Sequence, residues 1–179
     1  MQLPPADASA DSAQAGWLLG QAQALFADIA RPGGARWLVL AEISAAALSA
    51  PVFEGDGGKL LCNMLRAAGL DRAGAVVLLA PLARQDAASA PAQRQLPAAL
   101  PALLAQARPD VMLVMGRLAA LALLSSGEPF GKLRGKVHSL HGAKTVVTYN
   151  AAHLLRKCDD KAGAWSDLCL AMSLAEPAP

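Results

Sequence analysis

The sequence predicts an α/β protein, a three-layer α/β/α sandwich built on a four-stranded parallel central sheet. Three observations predict it. Four apolar runs of strand length, at 36–41, 75–80, 111–115 and 144–149, are continuous rather than alternating, the pattern of strands buried on both faces. Stretches of helical character separate them, and strands alternating with helices imply parallel β-α-β units with right-handed crossovers. The chain has 179 residues, enough for one domain with a full core, and carries no internal repeat. The expected boundaries are a tail over 1–13, a single domain over 14–174 and a second tail over 175–179.

Each element has its own signal. Residues 1–13 are mostly Ala, Pro, Ser and Asp, a composition that buries too little apolar surface to order itself and predicts a mobile tail. From 13 to 30, Trp17, Leu18, Ala22, Leu25, Phe26 and Ile29 recur at helical spacing, and Arg31-Pro32-Gly33-Gly34 is a stop signal; a helix is expected, packed on the domain or offered to a partner. The first strand, 36–41, runs into a loop at 42–45, then a glycine-rich turn over 51–58, then a helix from Lys59 to Ala68 closed by Gly69. The second strand precedes a long loop, 81–91. Residues 93–107 read as helix, kinked or restarted by Pro97 and Pro101. The third strand turns at Gly116 directly into an Ala/Leu helix over 117–124. A Gly-rich basic loop at 129–137 leads to the fourth strand, a short helix over 150–156 and a last helix over 159–174 capped by Asp159 or Asp160.

Composition narrows the class of function. Hydrophobic residues make up 54% of the chain, much of it alanine, and no apolar run reaches the ~18–20 residues of a membrane span. The N-terminus lacks the basic start and apolar block of a secretory signal, so a cytoplasmic location is expected. Three scattered cysteines, Cys62, Cys158 and Cys169, form no C-x-x-C pair and predict neither a disulfide framework nor a metal site. Residues 55–59 are glycine-rich but lack phosphate-loop spacing. The net charge of +2 conceals a local bias. Lys132, Arg134, Lys136, Lys144, Arg156, Lys157 and Lys161 share one thirty-residue stretch, with no acidic residue between Gly131 and Cys158. Lys132, Arg134, Lys136, Arg156 and Lys157 are therefore the candidate phosphate contacts, set against the alternative of a solvated face.

The most informative stretch is Thr148-Tyr149-Asn150-Ala151-Ala152-His153-Leu154-Leu155-Arg156. It follows a buried strand and opens a helix, with Asn150 placed to cap free backbone N–H groups. That is where open α/β sheets bind ligands.

The same stretch resembles the Thr-Tyr-His-Pro-Ala-Tyr-Leu-Leu-Arg motif of family-4 uracil-DNA glycosylases, with Asn150 in place of the His and Ala151 in place of the Pro. Other segments are similar in the same order. The strand 37–41 followed by Glu42 resembles the family's strand and Gly-Glu-Gly/Ala-Pro-Gly loop. Residues 52–61 resemble Pro-Phe-Val-Gly-x-Ala-Gly-x-Leu-Leu, 116–120 resemble Gly-Arg/Lys-Thr-Ala-Ala, 133–138 resemble Leu-Arg-Gly-x-x-His, and 161–168 match the closing motif. The resemblance spans about Arg36 to Leu170 and implies the family's fold and ancestry.

It also implies a site, from which this chain departs. A 4Fe–4S cluster is held by four cysteines in the family; none stands at the corresponding positions here, so no cluster is expected. Phe53 occupies the position of the aromatic ring that stacks on the base, worth about 1–3 kcal/mol per base where stacking occurs; the alternative is a core Phe under a glycine turn. The Asn that reads the base edge maps to Ala75. Asn150 donates a neutral hydrogen bond but cannot become cationic as a His can. Glu42 persists, while Ala41, Ile43, Ser44 and Ala45 fill a loop where backbone approaches the ligand closely. The expected base pocket is thus Ile43, Ser44, Phe53, Ala75, Asn150 and His153, with Glu42 and Asn150 as vestigial catalytic candidates; His138 is a further, weaker candidate.

Three functions follow. The first is a degenerate uracil-DNA glycosylase-like protein that binds DNA or protein in repair or replication without excising bases. The second is an adaptor similar to the psi subunit of bacterial clamp loaders, a non-catalytic relative of this fold, with replisome partners held by the N-terminal segment. The third is an active glycosylase of altered base specificity, in which Glu42 or Asn150 positions water.

Overall fold

A computed structural model of the chain describes residues 12–86 and 94–175. Most of the expected N-terminal tail, part of the expected loop 81–91, the start of the helix expected over 93–107, and the C-terminal tail beyond Ala175 lie outside the described residues. Seven strands form one mixed sheet: β1 (Trp17–Leu19), β2 (Gln23–Leu25), β3 (Arg36–Glu42), β4 (Val76–Arg84), β5 (Val111–Met115), β6 (His138–Leu140) and β7 (Ala143–Thr148). The α-helices that accompany them include α1 (Gly55–Ala67), α2 (Leu96–Ala107), α3 (Arg117–Leu123), α4 (Phe130–Leu133), α5 (Ala151–Arg156) and α6 (Lys161–Ala175), with 3-10 turns at Ala45–Ala47 and Cys158–Asp160.

The four expected parallel strands are present and lie side by side in the order β4-β3-β5-β7. The expectation of a four-stranded parallel sheet is nevertheless wrong, because three antiparallel strands flank them. At one edge β1 and β2 both pair with β4, and at the other β6 pairs with β7.

The helix expected over 13–30 does not form. β4 is a nine-residue apolar strand, and without a partner its outer edge would leave a row of N–H and C=O groups open to pairing. The N-terminal segment covers that edge, with Trp17, Leu18 and Leu19 all buried, a run that fits an edge strand and no amphipathic helix. β6 joins β7 through His141-Gly142, both at positive φ, the geometry of a two-residue hairpin turn.

Alternating strand residues feed two cores. Trp37, Val39, Val77, Leu113 and Val146 pack with α1, α5 and α6 on one face. Leu38, Leu40, Leu82, Met112 and Val147 pack with α2 and α3 on the other. Three boundaries also differ. α1 takes in the glycine turn expected ahead of it, α4 forms within the expected basic loop, and α2 continues through Pro101. No helix among the described residues is long and apolar enough to cross a membrane.

Candidate functional site

In the strand order β4-β3-β5-β7 the chain moves from β3 out to β4 and then back across β3 to β5. The direction reverses between β3 and β5, and ligands bind open α/β sheets outside the carboxyl ends of the strands at that point. A cleft of about 390 Å³ lies there, a volume within the range of small-molecule sites. Its floor is Ala41 and Glu42 from β3 and Met115 from β5. Ile43 and Ser44 enter from one side, Asn150 and Ala151 from the start of α5 on the other. The first turn of α1 closes a third side. Gly58 is needed there, since a Cβ would overlap the backbone of Phe53. Ile43 borders the cleft without plugging it.

Of the polar groups in this cleft, Glu42 sits at the floor. Its Oε2 accepts a hydrogen bond from the Ala119 N–H at 2.9 Å, in the first turn of α3. The carboxylate therefore satisfies a backbone donor that the helix itself leaves open. Gly116, at φ +142°, passes so close under Glu42 that a Cβ would overlap the Glu42 Cβ and Oε2. Burial pushes the Glu42 carboxyl above its ordinary value, outweighing the Ala119 and Leu118 N–H groups and the Arg117 charge, which pull it down. Folding therefore favours the protonated form. The stability this contributes is fully present below the ordinary carboxylate value and is lost as the pH rises through the raised one. Glu42→Gln removes the titration. Its stability relative to the native chain, measured by urea denaturation, is expected to improve from pH 4 to pH 7; a change in the opposite sense would contradict the burial of this charge.

Asn150 is the N-cap of α5, as expected: its Oδ1 accepts the His153 N–H at 2.7 Å. This leaves the Asn150 carboxamide NH₂ as the donor it can present to a ligand. His153 does not border the cleft. Its Nε2 pairs with Asp160 Oδ2 at 2.6 Å and its ring stacks on Tyr149, with centroids 4.6 Å apart. His138 pairs with the Leu133 carbonyl at 2.7 Å instead of reaching the cleft.

The structure separates the remaining candidates. Phe53 is half-buried, packs against the core on the α1 face and does not line the cleft. Ala75 precedes β4 and so lies at the amino edge of the sheet, opposite the cleft; the β4 residues level with Ala41 and Glu42 are Pro81 and Leu82, and no β4 residue lines the cleft. The placement of Ala75 as a base-reading position is therefore corrected.

Arg134 does not face solvent as a phosphate contact would. Its guanidinium holds Asp167 through Nε and Nη2, both at 2.7 Å from Oδ2, while Asp167 Oδ1 accepts the Gly135 N–H. Asp167 is 1% exposed. The Arg134 Nη1 also donates to the Tyr149 hydroxyl at 3.0 Å, with its Cζ 4.1 Å from the ring centroid. Lys136 is exposed and within 3.5 Å of Glu128, and Lys132, Arg156 and Lys157 are exposed. Sequence reading missed the structural role of Asp167 and Tyr149, although both stand inside matched motifs. An acid without a nearby base in the sequence and an aromatic ring next to a cap were the available signals.

The donor set does not fit an iron–sulfur cluster. A 4Fe–4S centre takes four thiolates, the chain has three cysteines, and no three potential metal ligands gather among the described residues.

No curated protein matches the sequence. The model of the uracil DNA glycosylase superfamily matches residues 32–169, which takes in every strand from β3 onward and both walls of the cleft. The chain belongs to the uracil DNA glycosylase superfamily.

Proposed function

We propose that this protein is a non-excising member of the superfamily, one that admits a nucleobase to the cleft and holds nucleic acid without breaking the glycosidic bond. The observation that carries this reading is the prior engagement of both oxygen acceptors named as catalytic candidates. Glu42 Oε2 is held by Ala119 and Asn150 Oδ1 by His153. Excision needs stabilisation of the negative charge that grows on the departing base, and preorganised donors or cations supply it. Asn150 offers one neutral donor and no positive charge. The exposed Lys132, Lys136, Arg156 and Lys157 support backbone contact, a sequence-independent and salt-sensitive attraction.

The adaptor reading drew on the N-terminal tail and on the helix expected after it; residues 17–19 and 23–25 are instead built into the sheet, which leaves that reading the tail alone, most of it outside the described residues. The altered-specificity reading needs Glu42 to direct water, and this carboxylate caps α3.

The test is a uracil-containing single-stranded oligonucleotide followed by fluorescence anisotropy and then heated in alkali. Retention that weakens with salt, and a strand left intact by alkali, are expected. Breakage at the uracil would overturn the proposal, and absence of retention at low salt would overturn its binding half.

A further inference from the structure

A second chamber adjoins the cleft, and its origin lies in one residue of β4. Pro81 has no N–H, so the ladder on that side of β4 lacks a donor. β1 pairs with Leu82 to Arg84 and β2 with Val77 to Leu79, and residues 20–22 leave the sheet between them. Gly20 N–H donates to the Pro81 carbonyl at 2.8 Å and fixes the break. The space opened there is about 740 Å³ and is walled by Gln21 from the break, Gln23 at the start of β2, Ser49 from the loop after β3, and Arg94. Ala50 and Pro51 border both chambers, so one loop wall is common to the two.

The two spaces differ in chemistry. The cleft is largely apolar, with the Asn150 amide at its edge. The second chamber presents two carboxamides, a hydroxyl and one guanidinium, and no acidic side chain lines it among the described residues. Arg94 is anchored, since its Nη2 donates to the Gly20 carbonyl at 3.0 Å, and no other side-chain hydrogen bond of Arg94 is found among the described residues. A guanidinium with one donor engaged among the described residues, beside amide groups in a chamber whose described lining holds no carboxylate, suits a single phosphate.

We propose that the two chambers form one bipartite site for a nucleoside monophosphate unit, the base in the cleft and the phosphate against Arg94, Gln21 and Gln23. The proposal rests on the reading that the cleft takes a base. The unit is either a free nucleotide or one residue of a single strand; both carry the same chemistry.

Titration calorimetry with uridine, uridine 5′-monophosphate and a uridine-containing trinucleotide tests it. The monophosphate is expected to bind about fivefold more tightly than uridine, as one partly exposed ion pair allows. Arg94→Ala should remove that advantage and leave uridine unchanged, and inorganic phosphate should compete with the monophosphate but not with uridine. Ala152→Phe, at an exposed position on the cleft wall, should weaken both ligands. An Arg94-dependent gain from monophosphate to trinucleotide marks a strand as the source, and its absence marks a free nucleotide. Uridine binding with no phosphate advantage, or an advantage that survives Arg94→Ala, overturns the bipartite site alone. Failure of both uridine and its monophosphate to bind overturns the base-in-cleft reading with it.

Discussion

Replacing Arg134 with methionine is expected to destabilise the fold by about 3–5 kcal/mol in urea denaturation, the cost of leaving one member of a buried ion pair without its partner. The side chains of Arg134 and Asp167 are 16% and 2% exposed, so little water is available to compensate the stranded carboxylate. The same change releases the Tyr149 hydroxyl and the ring face that Arg134 covers, both next to the Asn150 cap. Pairing it with Asp167→Leu should recover part of the loss, because a buried pair exchanged for apolar groups of similar volume is often neutral. If Arg134 were instead a phosphate contact, the single substitution would move stability by no more than about 0.5 kcal/mol, as ordinary surface changes do, and would lower DNA affinity.

Gly116→Ala is the second large effect. At φ +142° and ψ 142° the backbone occupies a region nearly closed to side chains, which costs about 1–3 kcal/mol. The new methyl also overlaps Glu42 and displaces its carboxyl from Ala119, adding about 1 kcal/mol for the lost hydrogen bond. A total near 2–4 kcal/mol is expected in denaturation. Measured against Glu42→Gly alone, Glu42→Gly/Gly116→Ala should show only the backbone cost, since the overlap is gone from both. A loss below 1 kcal/mol in the single variant would mean that Glu42 does not lie over Gly116. The overlap explains why a glycine stands at the end of β5 in this chain, beneath the Glu42 that ends β3.

The four parallel strands were legible because a strand buried on both faces leaves an unbroken apolar run, and β3, β4, β5 and β7 each do. The Asn150 cap was legible because its partner, His153, is three residues away. The N-terminal segment was misread because Trp17, Leu18, Ala22, Leu25, Phe26 and Ile29 satisfy a helical period while also supplying two three-residue strands. What decided between them was the open edge of β4, some sixty residues distant. β6 escaped notice because three residues carry no measurable period; its turn, His141-Gly142, was the signal to use. The roles of Glu42 and Arg134 were hidden for the same kind of reason. Each was visible as a charge, but the groups that bind them, the Ala119 N–H and Asp167, lie 77 and 33 residues away in the chain. Ala75 was put in the pocket by the resemblance alone, although it opens the apolar run 75–80 and so stands at the amino end of a parallel strand, away from the cleft.

The central claim is that the fold and the cleft persist while the groups that would expel a base are otherwise committed. The most direct measurement is free uracil released from a uracil-containing single strand at protein excess, compared among the native chain, Glu42→Gln and Asn150→Ala. All three are expected to match a protein-free control. Release by the native chain that either substitution lowers would contradict it.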